Sequence, residues 1–272
     1  MKNEIQKVFD FSICLESPYK LCDYRPTYGL ALSKWIGTYD FWGYCDLDML
    51  FGDLRKYFSD EILSKVDRCY VNGHISLWRN NEKMNTIFKF QEDSRGLNYQ
   101  DVYTSPDSYY FDEQRGVYTK CLLNGVKFAH FSMRDPIQGE PYFYWGGVSK
   151  ETQFVIYWQH GKLYSIATNG DKEELCYAHF FRRKFTIENY FPNKDVDSIK
   201  VLPCKAIINE DVRSVDYLER EKKFYKLKYK MNNLRNSLKR YGVIKTFERQ
   251  IWTRKSNEYV REIEKTYSEN CH

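Results

Sequence analysis

No window of this sequence approaches the roughly 18 consecutive apolar residues that a membrane-spanning helix needs, so such a helix is excluded. Met1 to Asp10 lacks the charged head and apolar run of a secretory signal, which points to a cytoplasmic chain. The eight cysteines (Cys14, Cys22, Cys45, Cys69, Cys121, Cys176, Cys204 and Cys271) include no C-x-x-C pair and no His/Cys grouping at zinc spacing. That excludes a zinc ribbon or a stapled scaffold and reads as thiols in a reducing compartment. Internal repeats and low-complexity tracts are missing too, leaving one large domain, or a domain with an appendage, for the 272 residues. Aromatic side chains, by contrast, are abundant: 24 Tyr, 18 Phe and 6 Trp exceed what core packing usually takes, and such rings stack on sugars and bases.

Charge divides the chain. From Asp211 to His272 there are 16 Lys/Arg against 9 Asp/Glu, so this tail carries +7 while Met1 to Glu210 is near neutral at −2. The expected division is therefore a body over 1–210 and a basic tail over 211–272. Within the tail, Tyr217 to Tyr241 has neither Pro nor Gly and spaces Leu218, Phe224 or Tyr225, Leu227, Met231, Leu234 and Leu238 as one helical face. Gly242 is expected to end that helix, and a second follows from Lys245 to Tyr267 with Ile244, Phe247, Ile251, Tyr259 and Ile263 apolar.

The body reads as mixed α/β. Tyr39 to Cys45 is short, aromatic and apolar enough for a buried strand, and a helix is expected over Gly52 to Phe58. Further strands are expected over Cys69–Trp78, Gly125–Phe131, Gln153–Trp158, Leu163–Thr168 and Leu175–Phe181, with a hairpin at His160-Gly161. Asn80 to Gln91 reads as helix and Gln91 to Arg115 as a long ordered loop.

Several segments could carry chemistry. Cys45-Asp46-Leu47-Asp48 follows the first strand directly, where open α/β sheets place ligands. Carboxylates at i and i+2 can turn to one divalent ion if the backbone bends, and hard oxygen donors suit Mg²⁺ or Mn²⁺; a solvated turn is the plainer alternative. Tyr177 to Lys184 sets His179 in an apolar strand ahead of Arg182, Arg183 and Lys184. A neutral imidazole can ligate the same ion and the cations can meet a phosphate, or the His is a satisfied core residue before a basic turn. Pro18 to Gly29 offers Lys20 and Arg25 as a phosphate clamp or a local salt bridge. Gly73 to Asn80 opens a strand with a small and a polar residue, and Phe111-Asp112-Glu113 supplies carboxylates able to take a proton from a hydroxyl.

In this order YKLCDYRPTYG, YDFWGYCDLDMLFGDLR, VNGHISLWRN, FDE and ELCYAHFFRRKF resemble a family of bacterial surface-polysaccharide glycosyltransferases with a type A fold, over roughly Pro18 to Phe185. The resemblance implies a Rossmann-like nucleotide-sugar transferase domain, shortened ahead of Tyr19 by a strand, a helix and a strand. It implies Mn²⁺ or Mg²⁺ held by Asp46, Asp48 and His179, and donor binding by Lys20, Asp23, Arg25, Trp42, Asp46, Arg182, Arg183 and Lys184. His74 and Trp78 would meet the acceptor, and Asp112 or Glu113 would act as base. The partners implied are a nucleotide-sugar, with UDP as its base carrier, and a lipid-linked saccharide. A basic amphipathic tail fits an anionic leaflet, placing the chain in the cytoplasm or on the inner face of the membrane. A remnant that assembles without transferring sugar is an alternative reading. A nucleic-acid module is another, but its interleaved aromatics and cations are confined to the tail (FYKLKYK), so no nucleic acid is expected.

Overall fold

A computed structural model describes residues 1–91, 94–135, 154–167, 170–180, 186–202, 205–209 and 222–270. The architecture is mixed α/β, with sheets of four, three and six strands accompanied by helices. The chain crosses repeatedly between two units. Unit 1 comprises Met1–Asp46, Asp60–His130 and Ile244–His272, and unit 2 comprises Leu47–Ser59 and Phe131–Val243. The end of the tail, Ile244–His272, is part of unit 1.

Unit 1 is built on the four-stranded sheet, in the order Phe41–Cys45, Ile75–Arg79, Arg68–Cys69, Phe128–Ala129. The single strand expected over 69–78 is two strands, separated by a turn in which Tyr70 takes φ +62°. Trp42 and Trp78 lie opposite each other across the first pair and stack at 5.2 Å, with the Trp42 indole N–H donating to Asn85. Both are core residues, which corrects the expectation that they border a sugar. Truncating Trp78, which is fully buried, is expected to cost about 3–5 kcal/mol of unfolding free energy in a urea titration. Phe9, Phe88, Tyr99, Tyr103 and Phe111 form a second aromatic group in the same core. Core packing thus absorbs much of the aromatic surplus.

Residues 18–27 form a 3₁₀ helix sunk into this core. The Lys20 ammonium is fully buried and donates to Asp23 at 2.9 Å and to the carbonyls of Val102 and Asp107 at 2.6 Å each. Asp23 in turn accepts from the backbone N–H groups of Tyr109 and Phe111. With all three ammonium protons and both carboxylate oxygens engaged, Lys20 and Asp23 hold the fold and cannot clamp a phosphate. Residues 91–115 are not one loop, since Tyr99–Thr104 is helical.

In unit 2 the six-stranded sheet runs in the order Thr186–Glu188, Lys205–Ile208, Ser198–Val201, Phe154–Gln159, Lys162–Ala167, Lys172–Leu175. Its hairpin turns at His160-Gly161, both with positive φ, which matches the right-handed twist of the flanking strands. The strand expected over 175–181 is broken at Cys176. Lys172–Leu175 edges the six-stranded sheet, whereas Tyr177–His179 is the central strand of the three-stranded one.

One helix, Lys222–Asn270, replaces the two expected. A glycine inside a helix costs only about 1 kcal/mol, and Gly242 is flanked by helix-compatible residues without proline. Its second half packs in unit 1: Tyr259, Val260 and Ile263 are buried, Trp252 meets Tyr109 edge-on, and Arg115 donates to Asn257 and Thr253. Ile244 and Ile251, expected on the apolar side, are exposed. The expected helical residues 217–221 lie outside the described residues.

Candidate metal and anion centres

The D-x-D pair straddles the boundary between the units, with Asp46 closing a segment of unit 1 and Leu47 opening one of unit 2. Each carboxylate has its own surroundings.

In unit 2, His179 ends the central strand of the three-stranded sheet. Antiparallel pairing sets His179 against Met49, and the Phe180 N–H donates to the Asp48 carbonyl at 2.8 Å. Parallel pairing on the other side sets Ala178 against Arg134, so the next residues along the two strands, His179 and Asp135, run side by side. The imidazole is thereby flanked: Nδ1 lies 2.9 Å from Asp135 Oδ1, and Nε2 lies 3.4 Å from Asp48 Oδ1. The ring is 4% exposed while both carboxylates are about half exposed. In a neutral ring that donates Nδ1–H to Asp135, Nε2 carries the lone pair and faces Asp48.

A carboxylate oxygen suits Mg²⁺ or Mn²⁺, and an imidazole nitrogen beside it favours the transition ion Mn²⁺ over the oxygen-seeking Mg²⁺. Donors at adjacent corners of an octahedron with bonds of about 2.1 Å lie about 3 Å apart, close to the spacing of Asp48 and His179. The residues present fit the ion. Asp135, 2.9 Å from Nδ1, stands where an outer carboxylate would fix the tautomer and orientation of the ring if Nε2 held an ion. It was missed in the sequence, because the signal is a strand register and SMRDP carries no mark of it.

Arg134, just before Asp135, pairs with Glu173. Burial pushes the Glu173 carboxyl up, but hydrogen bonds from Ser132 and Arg134 outweigh it and hold the group below the ordinary glutamate range. A carboxyl depressed in the native state stabilises it fully above the unfolded pKa and loses that contribution as pH falls through the native value. Glu173→Gln is therefore expected to flatten the dependence of the thermal unfolding midpoint on pH below about 4.5.

In unit 1, Arg25 gathers three segments. Its guanidinium donates to Asp112 Oδ2 at 3.0 Å, to the Gly73 carbonyl and to Asp46, and it lies 5.0 Å from the centre of the Tyr44 ring. The Asp46 N–H donates to the His74 carbonyl at 2.8 Å, tying the strand end to the 73–74 turn. A Cβ at Gly73 would meet the Glu113 side chain, which would have to shift to make room. Asp112 is 1% exposed, and burial pushes its carboxyl well above the ordinary range against the pull of Arg25. Burial likewise raises the nearby Cys22 thiol to about 11, so it stays protonated at neutral pH.

Of the expected residues, then, the structure brings Asp48 and His179 together in unit 2, and Arg25, Asp46, Asp112, Glu113 and the His74 backbone together in unit 1. Glu113, half-buried, lines a cleft of about 250 Å³ with Tyr110, Gln114 and Arg115, whereas Asp112 is taken up by Arg25. Arg182, Arg183 and Lys184 lie outside the described residues. Among those described, no helix is long and apolar enough to cross a membrane.

The chain belongs to a family of unknown function, DUF6625, whose model matches residues 1–210. No curated protein and no solved structure matches it.

Proposed function

We propose that this chain is a metal-dependent glycosyltransferase of type A fold that moves a sugar from a nucleotide-sugar, a UDP-sugar first among them, to a lipid-linked saccharide. The observation that carries the reading is the flanked His179, with Asp48 on one ring nitrogen and Asp135 on the other. The ordered motifs from Tyr19 to Phe185 support it. Asp48 and His179 Nε2 would hold Mn²⁺ or Mg²⁺, and Asp135 would keep the ring oriented. When bound, such an ion offsets the negative charge that grows on the departing diphosphate, more in the transition state than in the ground state. Asp46, held by Arg25, would face the nucleotide ribose. Glu113, which reaches the cleft, is the better base for an acceptor hydroxyl than the buried Asp112.

The test is calorimetric titration of the purified chain with UDP, with and without Mn²⁺, repeated with GDP. Metal-dependent binding of one nucleotide is expected and would select the sugars to screen. If neither nucleotide binds at any metal concentration, the transfer reading falls and a remnant that assembles with other proteins takes its place.

A further inference from the structure

The two halves of the long helix differ in how their charge is balanced. In the second half, cations meet partners within unit 1: Lys245 pairs with Asp107 at 2.8 Å, and Arg249 donates to the Ser108 carbonyl. The first half has no such supply of its own, because residues 222–240 contain eight Lys/Arg and no Asp or Glu. At 1.5 Å per residue this stretch is about 28 Å long. Along it Met231, Leu234 and Leu238 recur at i, i+3 and i+7, so they share one face. Met231 is 63% and Leu234 43% exposed, and Arg235 and Lys239 border the same shallow depression. A tertiary core would have covered these side chains and an ordinary solvated face would have replaced them with polar ones.

We infer that residues 222–240 form an interfacial helix that lies on an anionic bilayer, with Met231 and Leu234 entering the headgroup–acyl boundary and Arg235 and Lys239 on the lipid phosphates. Charge complementarity selects this occupant. An uninterrupted cationic stretch draws anionic headgroups, and the apolar face between the cations gains only from a surface that has an apolar layer beneath its charge. A nucleic-acid backbone would leave Met231 and Leu234 in water. The helix is too polar to span, so contact is peripheral and salt-sensitive. Sugar transfer is no premise of this inference, although a lipid-linked acceptor would be met at the same surface.

The experiment is flotation of the full chain with vesicles of phosphatidylcholine and phosphatidylserine, compared with phosphatidylcholine alone, at low and raised salt. Binding is expected only to the anionic vesicles and is expected to fall with salt. Arg235→Gln/Lys239→Gln should lower the partition coefficient roughly 30-fold, from the usual contribution of two cations near an anionic surface. Met231→Gln/Leu234→Gln should lower it at least about 10-fold. Both pairs are on the surface, and circular dichroism checks that each variant is folded. Equal binding to neutral vesicles, no binding to either, or wild-type binding by both variants overturns the inference. So does retention of poly-uridine with vesicles ignored, which would make the helix a nucleic-acid contact. Neither variant touches Asp48 or His179, so the UDP titration on the same samples reports separately on the transfer reading.

Discussion

His179→Ala is expected to weaken Mn²⁺-dependent UDP binding at least about 100-fold while leaving any metal-independent component in place. The ring provides the nitrogen that faces Asp48, 3.4 Å from its Oδ1. Because the ring is buried, part of the effect could come through packing, so Asp48→Asn is the companion variant: it keeps volume, is half exposed and removes only the charge. Asp135→Asn should cost about 10- to 100-fold, the usual effect of releasing a ligating histidine from its outer carboxylate. An unchanged calorimetric titration for His179→Ala and Asp48→Asn would remove this centre from the mechanism.

Arg25→Met is expected to destabilise unit 1 by about 3–5 kcal/mol, because it leaves the buried Asp112 without its cation and frees the Gly73 carbonyl and Asp46. The sign of its pH dependence is fixed. Burial already raises the Asp112 carboxyl, and without Arg25 it rises further, so the folded variant takes up a proton that the unfolded chain does not. The loss should therefore shrink as pH falls from neutral towards 5, and Arg25→Met/Asp112→Asn should recover part of it at neutral pH. Urea unfolding across that range measures both. A pH-independent loss with no recovery in the double variant would show that Arg25 acts through packing alone.

Local patterns fixed those elements whose signal is local. Phe41–Cys45 is legible as a strand because it is short, aromatic and apolar, although Trp42 alone of it is buried rather than the whole run from Tyr39, and the His160-Gly161 turn is legible because few residue pairs accept two positive φ angles. What stayed hidden depends on partners distant in sequence. Lys20 looks like a phosphate ligand until Val102, Asp107 and Asp23 are seen to occupy its ammonium. Trp42 and Trp78 look like sugar platforms until their pairing turns them towards each other. Asp48 and His179 were legible as a pair through their motifs, whereas Asp135 is revealed only by the parallel register beside Tyr177–His179. Gly242 shows the opposite error, a local breaker overridden by the helix on both sides.

The interleaving of the units has a consequence for how the chain is made. Unit 1 takes segments from before residue 47, from 60–130 and from beyond 243, so a growing chain cannot complete it when its sheet has been synthesised. Until residues 244–263 follow, Tyr109 lacks Trp252, Arg115 lacks Asn257, and Leu122 lacks Tyr259 and Ile263. An incomplete, partly apolar surface must therefore persist while residues 131–243 of unit 2 are translated, an interval of roughly 10 s at 5–20 residues per second. Completion of unit 1 then waits on residues 244–263, and chains interrupted before them should be substrates for chaperones or proteases.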